Sequence, residues 1–309
     1  MSDSRLEMFG NRLKKRFKHQ ARWAKREEIS CFRIYDRDIP QVPVTVDWFE
    51  GTVVASLFFR EGDEKWTGDL PSVISTVLNV PAGDVFFRIR EKQKGAAQYQ
   101  RLGGQGTSKV VTEGGFAFRV RFGEYLDAGL FLDHRRTRAM VGAEAKGKRF
   151  LNLFSYTSSF SVYAAMNGAT SSVSVDMSNR YTDWSRENFG LNQITEPEHA
   201  VVRADVMTFL REYRGKAFQL VVVDPPTFSN SAKMEGSFDV QRDHGELLHG
   251  VSRITEPGAV IFFSSNRRGF KLDEEHLSQW YEISEITEQT QPVDFVHRPH
   301  KCFRLVRVA

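Results

Sequence analysis

From residue 31 onward, apolar and polar positions alternate with period two. CFRIYD (31–36), VPVTVDWFE (42–50) and TVVASLFF (52–59) predict strands, with Glu50-Gly51 turning between the last two. DLPSVISTVLNV (69–80) breaks the alternation and predicts a helix opened by Asp69, with Pro71 in its first turn. DVFFRIR (84–90) and FAFRVRF (116–122) return to strand. Between them, EKQKGAAQYQRLGGQGTSK is a polar, Gly-rich loop, long enough to be functional or mobile. These pieces predict a small α+β domain over 31–125, with YLDAGLFLDHRRTRAM (125–140) as the connection onward.

From residue 148 the rhythm changes. KRFLNLFSY predicts a strand and FSVYAAMNGA a helix closed by Asn167-Gly168. SSVSVD, HAVVRAD and FQLVVVD predict strands, separated by the helices MSNRYTDWSRENFGLN and VMTFLREY. Strands alternating with helices at this spacing predict βαβ units and a parallel sheet covered on both faces. EISEITEQT and HKCFRLVRV are two strand patterns without a helix between them, expected to pair antiparallel at the sheet edge. The expected fold is therefore α/β over 126–309: a Rossmann-like, seven-stranded sheet with its last strand antiparallel, preceded by the small α+β domain.

Composition narrows the function. No stretch approaches the roughly 20 consecutive apolar residues of a membrane span, and the N-terminus has no apolar core typical of a secretory signal. The two cysteines, Cys31 and Cys302, lie far apart and in no metal-ligand spacing. Neither a disulfide framework nor a metal is expected, and a reducing cytoplasm fits. The net charge of +4 is uneven, because residues 1–30 hold nine Lys/Arg against four Asp/Glu. Arg12, Lys14, Lys15, Arg16, Lys18, Arg22, Lys25 and Arg26 run without an intervening acid, interleaved with Phe17 and Trp23. Their density and single sign favour a helix that contacts a polyanion, nucleic acid ahead of a membrane surface. The bland reading is a solvated helix face.

In an open parallel sheet, ligands bind outside the carboxyl ends of the strands. Those ends carry Phe154 to Ser159, then Asp176, then Asp205, then Asp224-Pro225-Pro226-Thr227-Phe228. Asp176 can accept from both hydroxyls of a ribose, and Asp205 from an adenine amino group. Asp is also a favoured helix N-cap, and Asp205 before VMTFLREY can serve as one. The first loop, LFSYTSSF, contains no glycine, which argues against the G-x-G-x-x-G turn of a dinucleotide fold and against a P-loop. Small hydroxyl residues suit instead a single carboxylate, such as the methionine end of S-adenosylmethionine.

At the fourth strand end two prolines fix φ and remove two amide donors, so Asp224 and the Pro225 carbonyl present one geometry. Phe228 offers a face on which a flipped base can stack, while acceptors read its edge. A stiff surface turn is the bland alternative.

These residues resemble the class I S-adenosylmethionine-dependent rRNA methyltransferases. More narrowly, they are similar to the C-terminal module of a bifunctional large-subunit rRNA methyltransferase. The matching runs are YLDAGLFLDHRRTR, GKRFLNLFSYT, VSVDMSNRYTDW, VVVDPPTFSNSAKMEGSFDVQRDH, FFSSNRRGFKLD and HKCF. They cover about 180 residues tightly and the N-terminal part loosely. The resemblance implies methylation of guanine N7, at position 2069 of 23S rRNA. It places Asp176 at the ribose and Asp205 at the adenine, with Met177 and Val206 in the same pocket. Ser155, Tyr156 and Thr157 would cradle the methionine portion. Asp224, Pro225, Pro226 and Phe228 would line the transfer site, with Asp224 also touching the cofactor. Asp133, His134 and Arg135 would close over the cofactor. The chain has Ser158 where the family usually carries glycine. Nothing in it corresponds to the second methyltransferase module, so a free-standing, single-activity enzyme acting on 23S rRNA or a large-subunit precursor is expected.

Methylation at cytosine C5 needs a cysteine nucleophile, and neither DPPT nor Ser264-Ser265-Asn266 contains one. Guanine N7 has a lone pair and no proton, so it needs no general base, only in-line positioning and groups that ease the charge it gains. His134, His244 and His300 are further candidates for base contacts. The competing readings are exocyclic-amine methylation of guanine N2 or adenine N6, weakened by Thr227 between PP and Phe, a non-catalytic RNA-binding or assembly protein, and a small-molecule methyltransferase.

Overall fold

The computed structural model describes residues 4–58, 64–89, 106–124, 127–229 and 237–308. Most of the predicted 91–109 loop, Tyr125 and Leu126, and residues 230–236 after the DPP turn lie outside the described residues. The chain divides into two units, Met1–Leu132 with Val293–His297, and Asp133–Pro292 with Arg298–Ala309.

The first unit begins with helix α1 (Ser4–Arg26), whose Leu6, Phe9, Leu13 and Ala24 are buried. A four-stranded sheet follows, in the order β1 (Cys31–Asp36), β2 (Val44–Phe49), β3 (Thr52–Leu57), β4 (Val85–Ile89). The first two pairings are antiparallel, while β3 and β4 are parallel and joined through helices α2 (Glu64–Thr67) and α3 (Leu70–Leu78). Phe9 meets Tyr35 edge-on at 5.0 Å in a core shared with Ile34, Val46, Val53, Trp66 and Ile74. Each such side chain contributes about 1.5–3 kcal/mol by leaving water.

Two expectations need correction here and in the connection that follows. Thr107–Lys109, read as the end of a loop, opens strand β5 (Thr107–Glu113), which pairs antiparallel with β6 (Phe116–Phe122). The turn is Gly114-Gly115, both at positive φ, which a tight hairpin requires and glycine adopts without steric cost. The 125–140 connection, in turn, carries a helix, α4 (Arg135–Glu144), with Arg135, Thr137, Arg138 and Val141 buried. Its polar composition hid a packed face.

Val293–His297 completes the first unit. The Arg33 backbone N–H donates to Asp294 Oδ2 at 2.9 Å, and the Val296 and His297 N–H groups donate to Asp36 Oδ2 at 3.1 and 3.0 Å. The Arg33 guanidinium lies 4.2 Å from the Phe295 ring centre.

The second unit alternates β7 (Arg149–Leu153), α5 (Ser159–Met166), β8 (Ser171–Asp176), α6 (Asn179–Leu191), β9 (His199–Arg203), α7 (Val206–Glu212) and β10 (Phe218–Val223). The short β11 (Phe228–Ser229) and β12 (Phe238–Asp239) pair with each other before α8 (Val240–Ser252). Then come β13 (Thr255–Ser265), α9 (Glu274–Leu277), β14 (Tyr281–Glu285), α10 (Thr287–Thr290) and β15 (Lys301–Arg307). Among the described residues seven strands form one sheet, in the order β14-β15-β13-β10-β7-β8-β9. β15 runs antiparallel to both its neighbours, and the other pairings are parallel. This is the expected α/β sheet, with β15 inserted inside the edge strand β14; the EISEITEQT run, read as strand with no helix before the last strand, instead ends its strand at Glu285 and turns into α10.

Both faces of the sheet are buried. Val221, Val223, Ile261 and Phe263 pack with α7 and α8 through Leu210, Leu247 and Val251. Leu220, Val222, Val260 and Phe262 pack on the other face with Val141 of α4 and Phe160 and Ala164 of α5. That two-sided burial explains why residues 220–223 of β10 read as a continuous apolar run.

Candidate active site

Strand order positions the site. From β7 the chain moves one way through β8 to β9, then returns to lay β10 on the opposite side of β7. This reversal opens a crevice at the carboxyl ends of β7 and β10, the place where such sheets bind ligands. The register sets Leu153 beside both Val223 and Val175, so the three strands end level. At about 4.8 Å per strand, Asp176 and Asp224 flank the β7 loop from two strands about 10 Å apart.

That loop has an unusual backbone. Phe154, Tyr156 and Ser158 all take positive φ, at 57°, 51° and 59°. Such residues are disfavoured by about 1–2 kcal/mol each and persist only where the surroundings over-determine them, as at functional sites. Here the surroundings are visible. The Tyr156 N–H donates to Asp176 Oδ2 at 2.9 Å, and Ser155 N–H donates to the Val175 carbonyl at 2.9 Å. Ser158 Oγ donates to Ser185 Oγ at 2.7 Å, and Ser185 reaches the Tyr156 carbonyl at 3.1 Å. Asn188 Nδ2 holds the Thr157 carbonyl at 2.9 Å. Beneath the loop, Asn152, Ser161 and Ser174 form a buried polar network. The Ser158 side chain is buried against Ser185.

Asp176 ends β8 and accepts a second amide, Ser178 N–H, on Oδ1 at 2.9 Å. Burial pushes its pKa up to about 6, against the two amide bonds that pull it down. A carboxylate held out of water in this way is favoured by further donors, which a vicinal diol supplies. Met177 follows it, half-buried. Asp205 caps α7, accepting Thr208 N–H on Oδ1 at 2.9 Å, with Val206 buried behind it. Ser155 adds a buried hydroxyl without a partner among the described groups. The acid, the orphan hydroxyl and the strained loop together fit a nucleoside with a small charged tail.

Asp224 is hydrogen-bonded at one oxygen and approached by a histidine at the other. Ser264 Oγ donates to Oδ1 at 2.6 Å, and His134 Nε2 lies 3.4 Å from Oδ2. Pro225 is buried, Pro226 half-buried, and Phe228 is 42% exposed. Thr227 Oγ1 donates to Asn266 Oδ1 at 2.7 Å, tying the turn to the loop after β13.

Asp133 and His134 precede α4 and Arg135 opens it; of the three, His134 is the one that reaches Asp224. His134 and His300 stack 4.1 Å apart with rings 11° from parallel, and His300 Nδ1 lies 3.1 Å from Asp133 Oδ2. Burial, above all, holds the His134 pKa below its ordinary value, with His300 adding to it and Asp224 and Asp133 opposing it. His300 and Ser264 were the partners hardest to see in the sequence, and HKCF and SSN were their signals. The same strand brings Cys302 opposite Ser264, close enough to Asp224 to feel its charge. Burial drives that thiol's pKa far up, so it is no thiolate nucleophile. Cys31 is buried as well.

The FDVQRDH stretch also finds a role. Asp239 caps α8 through Gln241 and Arg242 N–H. Gln241 donates to the Lys271 carbonyl at 2.7 Å and accepts from Arg267 and Lys271 N–H, each at 3.0 Å. His244 Nδ1 faces the Val240 carbonyl at 2.9 Å, so its Nε2 is the acceptor for Asp273 N–H at 3.0 Å. Helix α8 and the Arg267–Asp273 loop thus brace each other beside the Thr227–Asn266 tie. His244 is structural here rather than a base contact.

Among the described residues no helix is long and apolar enough to cross a membrane. Residues 32–275 match the family profile of S-adenosylmethionine-dependent methyltransferases. The chain is 44% identical over 306 residues to ribosomal RNA large subunit methyltransferase K of Neisseria meningitidis serogroup B, covering 96% of this chain and 86% of that protein. It is 42% identical to ribosomal RNA large subunit methyltransferase K/L of Methylococcus capsulatus, covering 97% of this chain but only 42% of that one. A putative methyltransferase solved in complex with SAH shares the fold, with a TM-score of 0.78 at 21% identity over 97% of this chain and 81% of that one. The crevice geometry and these likenesses agree: the chain belongs to the S-adenosylmethionine-dependent methyltransferase family, and S-adenosylmethionine is its cofactor.

Proposed function

We propose that this chain methylates guanine N7 in large-subunit ribosomal RNA. The observation that carries the reading is Asp224, hydrogen-bonded by Ser264 and approached by His134, in the same turn as the exposed ring of Phe228. The names of its relatives support the choice of RNA. The cofactor, when bound, supplies an electrophilic methyl group. The chain's own work is positioning. Asp176 accepts the ribose hydroxyls, the Ser155–Thr157 loop holds the amino-acid end, and Asp205 and Val206 border the adenine. His134 stands against Asp224, with Asp133 beside it, and by the resemblance Arg135 acts with them on the cofactor.

Phe228 stacks the base, and the Pro225 carbonyl and Asp224 accept from its edge. The ring nitrogen gains positive charge as it is methylated, and the fixed carboxylate offsets that charge without moving. No proton leaves N7, which suits a site whose buried histidine is held neutral and whose buried thiol stays protonated. The absence of an ionised thiol disfavours covalent attack on a pyrimidine.

RNA contact is assigned to α1, with a refinement. Lys14, Lys15, Lys18, Arg22, Lys25 and Arg26 are exposed, and at 100° per residue they fall within one arc opposite the buried face. They span about 18 Å of helix. Arg12 and Arg16 lie off that arc, 2.7 and 3.5 Å from the buried Asp38 carboxylate, so they hold the fold first.

The test uses purified chain, labelled S-adenosylmethionine and 23S rRNA, followed by borohydride–aniline cleavage. One cleavage at a single guanine is expected. Label confined to cytosine, to an exocyclic amine or to no RNA would overturn the reading. Asp224→Ala is expected to abolish turnover while cofactor binding remains measurable.

A further inference from the structure

The closing HKCF run has no part in the chemistry described so far, yet it backs Asp224 from two directions. Cys302 stands opposite Ser264, whose hydroxyl binds Asp224 Oδ1. His300, just before β15, covers the His134 ring whose Nε2 faces Asp224 Oδ2. The two imidazoles are both buried, and each leaves one nitrogen, His134 Nδ1 and His300 Nε2, without a partner among the described groups. Two phenylalanines would fill that space without stranding a polar atom. A buried polar atom without a partner calls for an explanation. What the pair retains is position: His300 Nδ1 is hydrogen-bonded to Asp133 Oδ2 at 3.1 Å, and His134 Nε2 lies 3.4 Å from Asp224 Oδ2.

We propose that His300 is a positioning residue, anchored by Asp133, whose ring clamps His134 against Asp224 and so fixes the carboxylate that faces the substrate base. This rests on the reading of Asp224 as part of the transfer site. The clamp works with an uncharged His134. A neutral ring packed against Asp224 limits its movement and leaves its negative charge available to the base, whereas an imidazolium would cancel it. The groups facing His134 are Asp224, His300, Asp133 and Arg138, and burial among them keeps the ring neutral at ordinary pH. Near-parallel rings also speak against a cation held between Asp133, His134 and His300, although their ligand atoms lie within 4.8 Å of one another. A metal prefers to lie in the plane of each imidazole, and two stacked planes do not share such a point.

The decisive experiment is a double-mutant cycle on kcat in the full chain. His300→Ala is expected to lower kcat between about 10- and 100-fold, with cofactor Kd and RNA KM within about twofold of wild type. His300→Phe, which keeps a ring to stack, is expected to restore part of the loss and decides the matter if the alanine variant does not fold. His134→Ala with His300→Ala is expected to be no worse than His134→Ala alone, because His300 acts through His134. Wild-type kcat in both His300 variants, a loss seen in cofactor Kd instead, or losses that multiply would each overturn the proposal. So would stoichiometric zinc in the purified protein that His300→Ala removes. Asp224→Asn separates the two ideas: if it turns over normally, the transfer-site reading fails. If it is inactive while His300 variants behave as wild type, only the clamp fails.

Discussion

Ser158 occupies a left-handed backbone position that glycine tolerates best, and its hydroxyl is committed to Ser185 in α6. The strain is thus offset by a bond a glycine could not make, and the side chain is directed into the protein rather than toward a ligand. Asp176 makes a sharper case. Its pKa is raised to about 6 by burial, so the free protein ionises it at a cost that ribose hydroxyls reduce. The sign follows: the ionised form is the acceptor, so cofactor affinity should fall as pH drops through about 6 and level off above it. Calorimetric titration between about pH 5 and pH 8 checks this, with Asp176→Asn expected to bind more weakly and without that pH dependence. A wild-type affinity flat across the same range would remove Asp176 from the ribose contact. At this scale the sequence was informative about which acids matter. It said nothing of what surrounds them, because desolvation is a property of neighbours brought in from elsewhere.

At the scale of elements, α1 divides its cations between two tasks. Reversing Lys14, Lys18 and Lys25 to Glu should weaken RNA binding and flatten the dependence of log K on log salt by about 0.7 to 0.9 for each phosphate no longer neutralised. Reversing Arg12 instead should lower stability, since Asp38 would keep a buried charge beside a like one, and should leave the slope nearly unchanged. A salt slope that responds equally to both sets would show that helix facing does not matter. Eight basic residues were legible in the sequence as one run. Their separation into six and two needed the position of Asp38, which the helix period alone does not contain. Similarly, TSKVVTE was hidden by the polar loop before it, and the α4 helix by its three arginines. Both are elements stabilised by tertiary packing more than by propensity.

Over the whole molecule, the chain leaves its second unit after Pro292 and returns to it at Arg298, with Val293–His297 belonging to the first. Asp294→Ala in the full chain should therefore destabilise the first unit by about 1–3 kcal/mol, because the Arg33 N–H is left without its acceptor. Native-state hydrogen exchange should report the change at β1 and β2 amides and leave β7 and β10 protected as before. Equal deprotection of both would contradict the assignment of this segment.

Period-two and period-3.6 patterning, apolar runs and capping residues are local, and they were enough to establish an α/β sheet with acids at three successive strand ends. The chemistry of the DPP turn, the lack of glycine in the first loop and the family resemblance were local too. What no local pattern carries is adjacency between distant residues. Inserting β15 between β13 and β14 brings His300 onto His134, far earlier in the chain, and sets Cys302 opposite Ser264. The reversal of strand order at β7 opens a crevice between the β7 and β10 loops. Those relations depend on which faces find burial together once the whole chain has folded, so they appear only when the sheet is assembled.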